Sequence, residues 1–269
     1  MIRGLYTAAS GALVAQTMAN TIANNLANVD TAGFKRTLLQ IQSAPSLDLY
    51  RFQTDPGHTP GRARAGVAVS QPVGALGTGA WVYDTPTVFT QGALQQTGNP
   101  LDVALSGSNA FFSVQTPQGV RYTRDGEFVR NQNGYLSTQN GDLVLGQNGP
   151  IALPIGGFQI AQDGTITQRG QVLTQTKQIV DQLQITQFGN LVALRPQGGN
   201  LFVNTGAARP APATAAGVQQ GFLEKSNAGV VKSMVDMITA ERWFQANIKS
   251  ISAEDAATKQ ALTDVAIAN

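Results

Sequence analysis

The spacing of hydrophobic positions changes three times along this chain, and the changes divide it into three parts, one of them made of both ends. From the N-terminus, Leu5, Ala8, Ala12, Ala15, Ala19, Ile22, Leu26 and Val29 recur at alternating steps of three and four. That spacing keeps side chains on one face of a helix. Near the C-terminus Val230, Met234, Met237, Glu241, Phe244, Ile248 and Ile251 repeat it, and Asp255, Thr258, Leu262 and Val265 continue it in more polar form. Between residues 36 and 87 the periodicity fades under Pro45, Pro56, Gly57, Pro60, Gly61, Gly66, Pro72, Gly74, Gly77 and Gly79. An extended connector with short strands, wrapping onto neighbours, is expected there. From Val88 to Phe222 turn signals come close together, among them Asn133-Gly134, Asn140-Gly141, Asn148-Gly149 and Asp163-Gly164. These dipeptides supply the positive φ that tight hairpins need, and the short apolar runs between them read as strands. The pattern predicts an α+β chain: a helical assembly domain from residues 1–35 and 223–269, a connector over 36–87, and a central antiparallel all-β domain over 88–222.

Small residues dominate the first stripe, so each turn buries little apolar area. At roughly 25 cal/mol per Å², one partner holds such a helix poorly. Two readings follow: terminal helices paired in a coiled-coil-like manner within a crowded helical array, or an ordinary intramolecular hairpin capping the β domain. In either case Leu5, Ala8, Ala12, Ala15, Ala19, Ile22 and Leu26 are expected to meet Met234, Met237, Phe244, Ile248 and Ile251.

Composition narrows the function classes. Of 269 residues, 42% are hydrophobic and only 13% charged, which suits a protein whose surface partners cover. The net charge is +2 and the 18 Lys and Arg form no basic run, so nucleic acid is not a partner this chain is built for. No stretch approaches the ~20 apolar residues of a membrane helix, and the N-terminus lacks the pattern of a cleavable signal. Cysteine is absent and His58 is the single histidine, in a polar loop where solvent exposure is expected. Disulfides, thiolate metal sites and histidine metal sites are therefore excluded, and no cofactor is expected. Among the carboxylates, Asp102, Asp125, Glu127, Asp142 and Asp163 are candidates for a glycosidase pair. Most sit beside glycine in turns, where aspartate accepts local backbone hydrogen bonds, so catalysis is not expected.

Four strings become specific enough to carry a resemblance. Ala23-Asn24-Asn25-Leu26-Ala27-Asn28-Val29-Asp30-Thr31-Ala32-Gly33-Phe34-Lys35-Arg36 is one. The others are Phe89-Thr90-Gln91-Gly92 through Leu101-Asp102-Val103-Ala104, Phe111-Phe112 with Tyr122-Thr123-Arg124-Asp125-Gly126, and Ser226-Asn227 through Ala246-Asn247. In this order the chain resembles the flagellar basal-body rod and hook protein family over nearly its whole length.

The resemblance implies a structural subunit that polymerises into a hollow shaft transmitting torque, with terminal helices inside and β domain outside. It also implies export by the flagellar type III apparatus, placement in the basal body, and copies of itself, neighbouring rod and hook proteins and basal-body rings as partners. A hook-type axial subunit, or a secreted β-rich adhesin or carbohydrate-binding protein, is the alternative. Asn20, Asn24 and Asn28 fall at i, i+4 and i+8, so their amides form one ridge. That ridge either bonds across subunits and fixes register, with Asn25, or faces solvent, and Asn247 is expected at the assembly interface. Gly33 is expected to end the first helix in the left-handed conformation.

Overall fold

The computed structural model describes residues 2–51, 71–168, 178–206, 209–212 and 217–267. His58 and the interruptions from Pro56 to Gly66 lie outside the described residues. Two long helices, α1 (Ile2–Ala27) and α2 (Val230–Ile267), bracket a run of short strands. No described helix is long and apolar enough to cross a membrane.

The chain divides into two compact units: Met1–Asn20 with Leu39–Thr85 and Asp236–Asn269, and Thr21–Leu38 with Pro86–Val235. Each helix contributes to both. The periodicity placed its divisions at 35, 87 and 222 instead, because helical spacing shows where a helix runs but not which unit each turn packs against.

In the first unit the connector forms an antiparallel ribbon. Strand β1 (Gln40–Ser43) has its partner in β4 (Ala80–Asp84), with Ile41 opposite Val82. Strand β2 (Leu47–Arg51) pairs with β3 (Gln71–Leu76). The Ala80 amide donates to Ser10 Oγ of α1 at 3.3 Å, tying the ribbon to the helix.

The second unit is the antiparallel domain that the turn signals predict. Its centre is the strand Ala110–Thr116, which pairs with Gly119–Thr123, Leu143–Gly146 and Ile185–Phe188. Successive side chains of a strand point to opposite faces. The adjacent Phe111 and Phe112 therefore enter different cores. Phe111 joins Phe89, Phe188, Leu194 and Phe202, with edge-to-face ring centroids 5.5–6.0 Å apart. Phe112 joins Val114, Phe128, Leu136, Val144, Ile151 and Ile166, with the Phe128 ring 5.0 Å away.

Gly33 does not cap α1, which ends six residues earlier at Ala27. It does have positive φ, 67°, but for another reason. A Cβ there would lie 2.5 Å from the Arg124 carbonyl carbon, so glycine lets the segment after α1 press directly on the backbone that follows the strand Gly119–Thr123.

Candidate assembly interface

Within the first unit α1 and α2 run antiparallel, with side chains of α2 reaching onto the glycines of α1. A Cβ added at Gly4 would fall inside the Glu254 carboxylate, and one at Gly11 would lie 2.6 Å from Asn247 Oδ1. The seam thus runs one position beside the predicted stripe on alternate turns. Ala8, Ala15, Phe244 and Ile251 are buried or half-buried as the spacing suggests, and so is Met237. Between them, however, lie Gly4 and Gly11 rather than Leu5 and Ala12, and Ala240, Asn247 and Glu254 rather than Glu241, Ile248 and Asp255. Ala12 is buried in its own right, and Ala240 is fully so. The offset has a steric cause: the Glu254 and Asn247 side chains occupy the space over Gly4 and Gly11, and a leucine at either position would collide with them.

What is turned aside remains uncovered. Leu5, Met234 and Ile248 are exposed, together with Tyr6, Leu13, Val231, Val235, Ile238, Trp243 and Leu262. The ribbon adds Ile41, Leu47, Tyr50, Val73 and the edge-to-face pair Trp81 and Tyr83. Single exposed apolar residues are ordinary, but a run along both helices and both faces of a two-stranded ribbon exceeds that background.

In the second unit, the stretches Thr31–Arg36, Phe89–Gly92, Arg124–Gly126 and Ser226–Asn227 converge on one buried knot. Glu224 lies at its centre, pairing with Lys35 Nζ and with Arg124, whose Nε is 3.5 Å from Oε2. All three side chains are excluded from water. The Gly92 amide donates to Glu224 Oε1 at 2.8 Å, Lys35 Nζ donates to the Thr90 carbonyl at 2.9 Å, and the Gly33 amide donates to the Glu224 carbonyl at 2.7 Å. Burial pulls the Lys35 ammonium below the usual lysine range, against the opposing pull of Glu224. Asn227 completes the knot: its Oδ1 accepts from the Arg36 amide at 2.8 Å and its Nδ2 donates to the Val88 carbonyl at 2.7 Å.

Asn25 is also buried. Its Nδ2 donates to the Thr37 carbonyl at 2.8 Å and its Oδ1 accepts from the Thr37 amide at 3.0 Å, so one amide side chain acts as a short strand edge. Ile22 is buried and Leu26 half-buried in the same unit, while Ala19 is half-buried in the first. Asn24 is exposed, and Asn28 Nδ2 donates back to the Asn24 carbonyl. Both border a cleft of about 570 Å³ that Asp125, Glu127 and Asn200 also line.

Sequence reasoning named neither Glu224 nor its two cationic partners as site residues. The available signal was that Lys35 and Arg124 sit inside the recurring strings of a chain otherwise poor in charge.

Three of the five candidate acids, Asp102, Asp125 and Asp163, accept hydrogen bonds within their own turns. Asp102 accepts from Thr97 Oγ1 at 2.6 Å and Asn99 Nδ2 at 2.8 Å, and Asp163 accepts from the Thr165 amide at 2.9 Å. Asp125 accepts from the Glu127 amide at 3.0 Å, and burial pushes its carboxyl up to about 6.

Comparison with known proteins gives the same picture over the whole chain. Residues 5–35 match the family model "Flagella basal body rod protein", residues 104–192 match "Flagellar hook protein FlgE/F/G D1 domain", and residues 219–263 match "Flagellar basal body rod FlgEFG protein C-terminal". The chain is 36% identical to the flagellar basal-body rod protein FlgG of Agrobacterium fabrum, over 94% of this chain and 96% of that protein. It is 33% identical to FlgG of Bacillus subtilis, over 95% and 96%, and 27% identical to the flagellar hook-basal body complex protein FlhO of the same organism, over 98% and 99%.

Proposed function

Since the chain belongs to the flagellar basal-body rod family, and is a structural subunit of the bacterial flagellar rod located in the basal body, we propose that it polymerises through the helix faces it leaves uncovered. The observation that supports this reading is the contrast between the buried α1–α2 seam and the exposed row of Met234, Ile238 and Ile248 on α2. An intramolecular hairpin needs one covered face, whereas a subunit of a tube needs further faces for its neighbours. Leu5, Leu13 and Trp243 extend the surface, and the exposed amide of Asn24 gives it a polar element that can fix register.

In this account the polymer is a hollow shaft that transmits torque. The chain reaches it through the flagellar type III apparatus and meets other axial subunits and the basal-body rings. The relatives are axial flagellar proteins, so neither an adhesin nor a catalytic reading gains support from them. A sedimentation assay tests the proposal. Full-length protein should form pelletable polymer, and an Ile238→Asp, Ile248→Asp double variant should stay monomeric with an unchanged β-sheet circular dichroism spectrum. Normal polymer from the double variant would refute it.

A further inference from the structure

We propose that Gly4 and Gly11 are sockets whose occupants, Glu254 and Asn247, set the register of the antiparallel α1–α2 pair. The apolar stripe sets only that the helices pair. The inference rests on the reading of these helices as the assembly domain, and it identifies which residues determine their alignment.

Gly4 and Gly11 are one heptad apart, and so are Asn247 and Glu254. Each glycine faces one of the two polar side chains, in antiparallel order, so that a methyl group could enter only if the end of the Glu254 or Asn247 side chain moved aside. They are the two glycines of α1, and a glycine inside a helix costs about 1 kcal/mol relative to alanine. The next heptad step reverses the relation of sizes. It places Met18 opposite Ala240, whose surface is fully covered. Along α1 the row reads small, small, large, while along α2 it reads long, medium, small.

The alanine stripe cannot supply this information. Ala8 and Ala12 are replaced by Ala15 and Ala19 when the helices slip by seven residues, so such a slip leaves the stripe unchanged. The socket row does not tolerate it. A slip in one direction drives Asn247 onto Met18. In the other direction it sets Ala240 in the Gly11 socket, where it leaves a void. Asn247 is also held in position, because its Nδ2 donates to the Trp243 carbonyl of its own helix at 2.9 Å while Oδ1 points at Gly11. Among the described residues Glu254 Oε2 is buried with no hydrogen-bond partner, a cost that an apolar side chain would avoid. Polar groups kept at a helix contact against their cost in stability are known register-setting devices.

The absence of cysteine makes the test clean. Heptad spacing puts Ala8 across from Ile251, so Ala8→Cys with Ile251→Cys reports the native register. Ala15→Cys with Ile251→Cys, and Ala8→Cys with Phe244→Cys, report the two slipped registers. A seven-residue slip is ~10 Å along the axis, beyond disulfide reach. Cross-linking is read under mild oxidation on the full-length chain, before and after polymer is pelleted.

With the sockets intact, the native pair should cross-link at least tenfold more than either slipped pair. Gly4→Leu with Gly11→Leu should bring the three within about twofold. Exchanging the partners, with Gly4→Glu, Gly11→Asn, Glu254→Gly and Asn247→Gly, keeps the number of helical glycines and should restore the native preference. The proposal is overturned by a native preference that survives filled sockets, by failure of the exchange to restore it, or by no native cross-link in either form. Pelleting is scored separately, so a chain that never polymerises counts against the proposed function and leaves the cross-link ratios to decide on register.

Discussion

The β unit and the helical unit bury their side chains in opposite ways. In the β unit, Phe111, Phe112, Phe128 and Phe188 are at most 1% exposed, and even its charged knot is dry. In the helical unit the one fully buried side chain among those described on α2 is an alanine, while Trp243, Ile238 and Ile248 stand in solvent. Burying a phenylalanine recovers about 1.5–3 kcal/mol, whereas ordering each helical residue costs about 1–2 kcal/mol. The β unit is complete within one chain, and the helical unit, on the proposed function, is completed by neighbours. If the protein assembles only at its destination, as proposed, this division would couple folding of the ends to assembly.

The comparison breaks first at the knot. Replacing Glu224 with Ala leaves Lys35 and Arg124 buried without their anion, and should cost about 3–5 kcal/mol in urea unfolding of the monomer. An unchanged midpoint would mean that the β unit does not depend on the residues that tie residues 33–36 to it.

Gly33→Ala comes next. It strains a positive-φ position and pushes a methyl group into the Arg124 backbone, so a loss of about 2 kcal/mol or more is expected by the same measurement.

A smaller effect, of opposite sign, is expected at Asp125. Its folded-state carboxyl is raised to about 6, so the folded chain holds this proton more tightly than the unfolded one. The resulting stability is fully present below the unfolded value near 3.8 and is lost as pH rises through about 6. Asp125→Asn should therefore stabilise the β unit by about 1–2 kcal/mol at pH 7.5 and by nothing at pH 3.5. Thermal unfolding at the two values reads the difference, and equal effects at both would show that burial of this carboxyl is not what the substitution relieves.

The smallest effect on the monomer sharpens the comparison most. Ile248→Asp sits on an exposed helix face and should change monomer stability by no more than about 0.5 kcal/mol. It should nevertheless abolish rod assembly and motility in a complemented strain.

The sequence-legible part of this fold is what short-range periodicity encodes. Three-four spacing located both helices, and Asn133-Gly134, Asn140-Gly141 and Asp163-Gly164 located turns whose glycines do have positive φ. The azimuth of the seam was not legible, because apolarity selected Leu5 and Ile248, whereas close approach selects Gly4 and Asn247. Nor was the knot. Lys35 and Glu224 are 189 positions apart, and a charged residue read alone is assigned to the surface. Gly33 was legible as a special glycine, but a local cap and a long-range backbone contact leave the same mark in sequence.

Hydrogen exchange on the dilute monomer and on the assembled rod tests the central claim most directly. In the monomer, residues 2–20 and 236–267 should exchange within seconds. Residues 28–38 and 222–229, tied down through Lys35, Glu224 and Asn227, should be protected with the strands around Phe111 and Phe112. In the rod both helices should become protected while the β unit changes little. Helices already as protected as the β unit in a dilute monomer would contradict the account and mark the terminal pair as a self-sufficient hairpin.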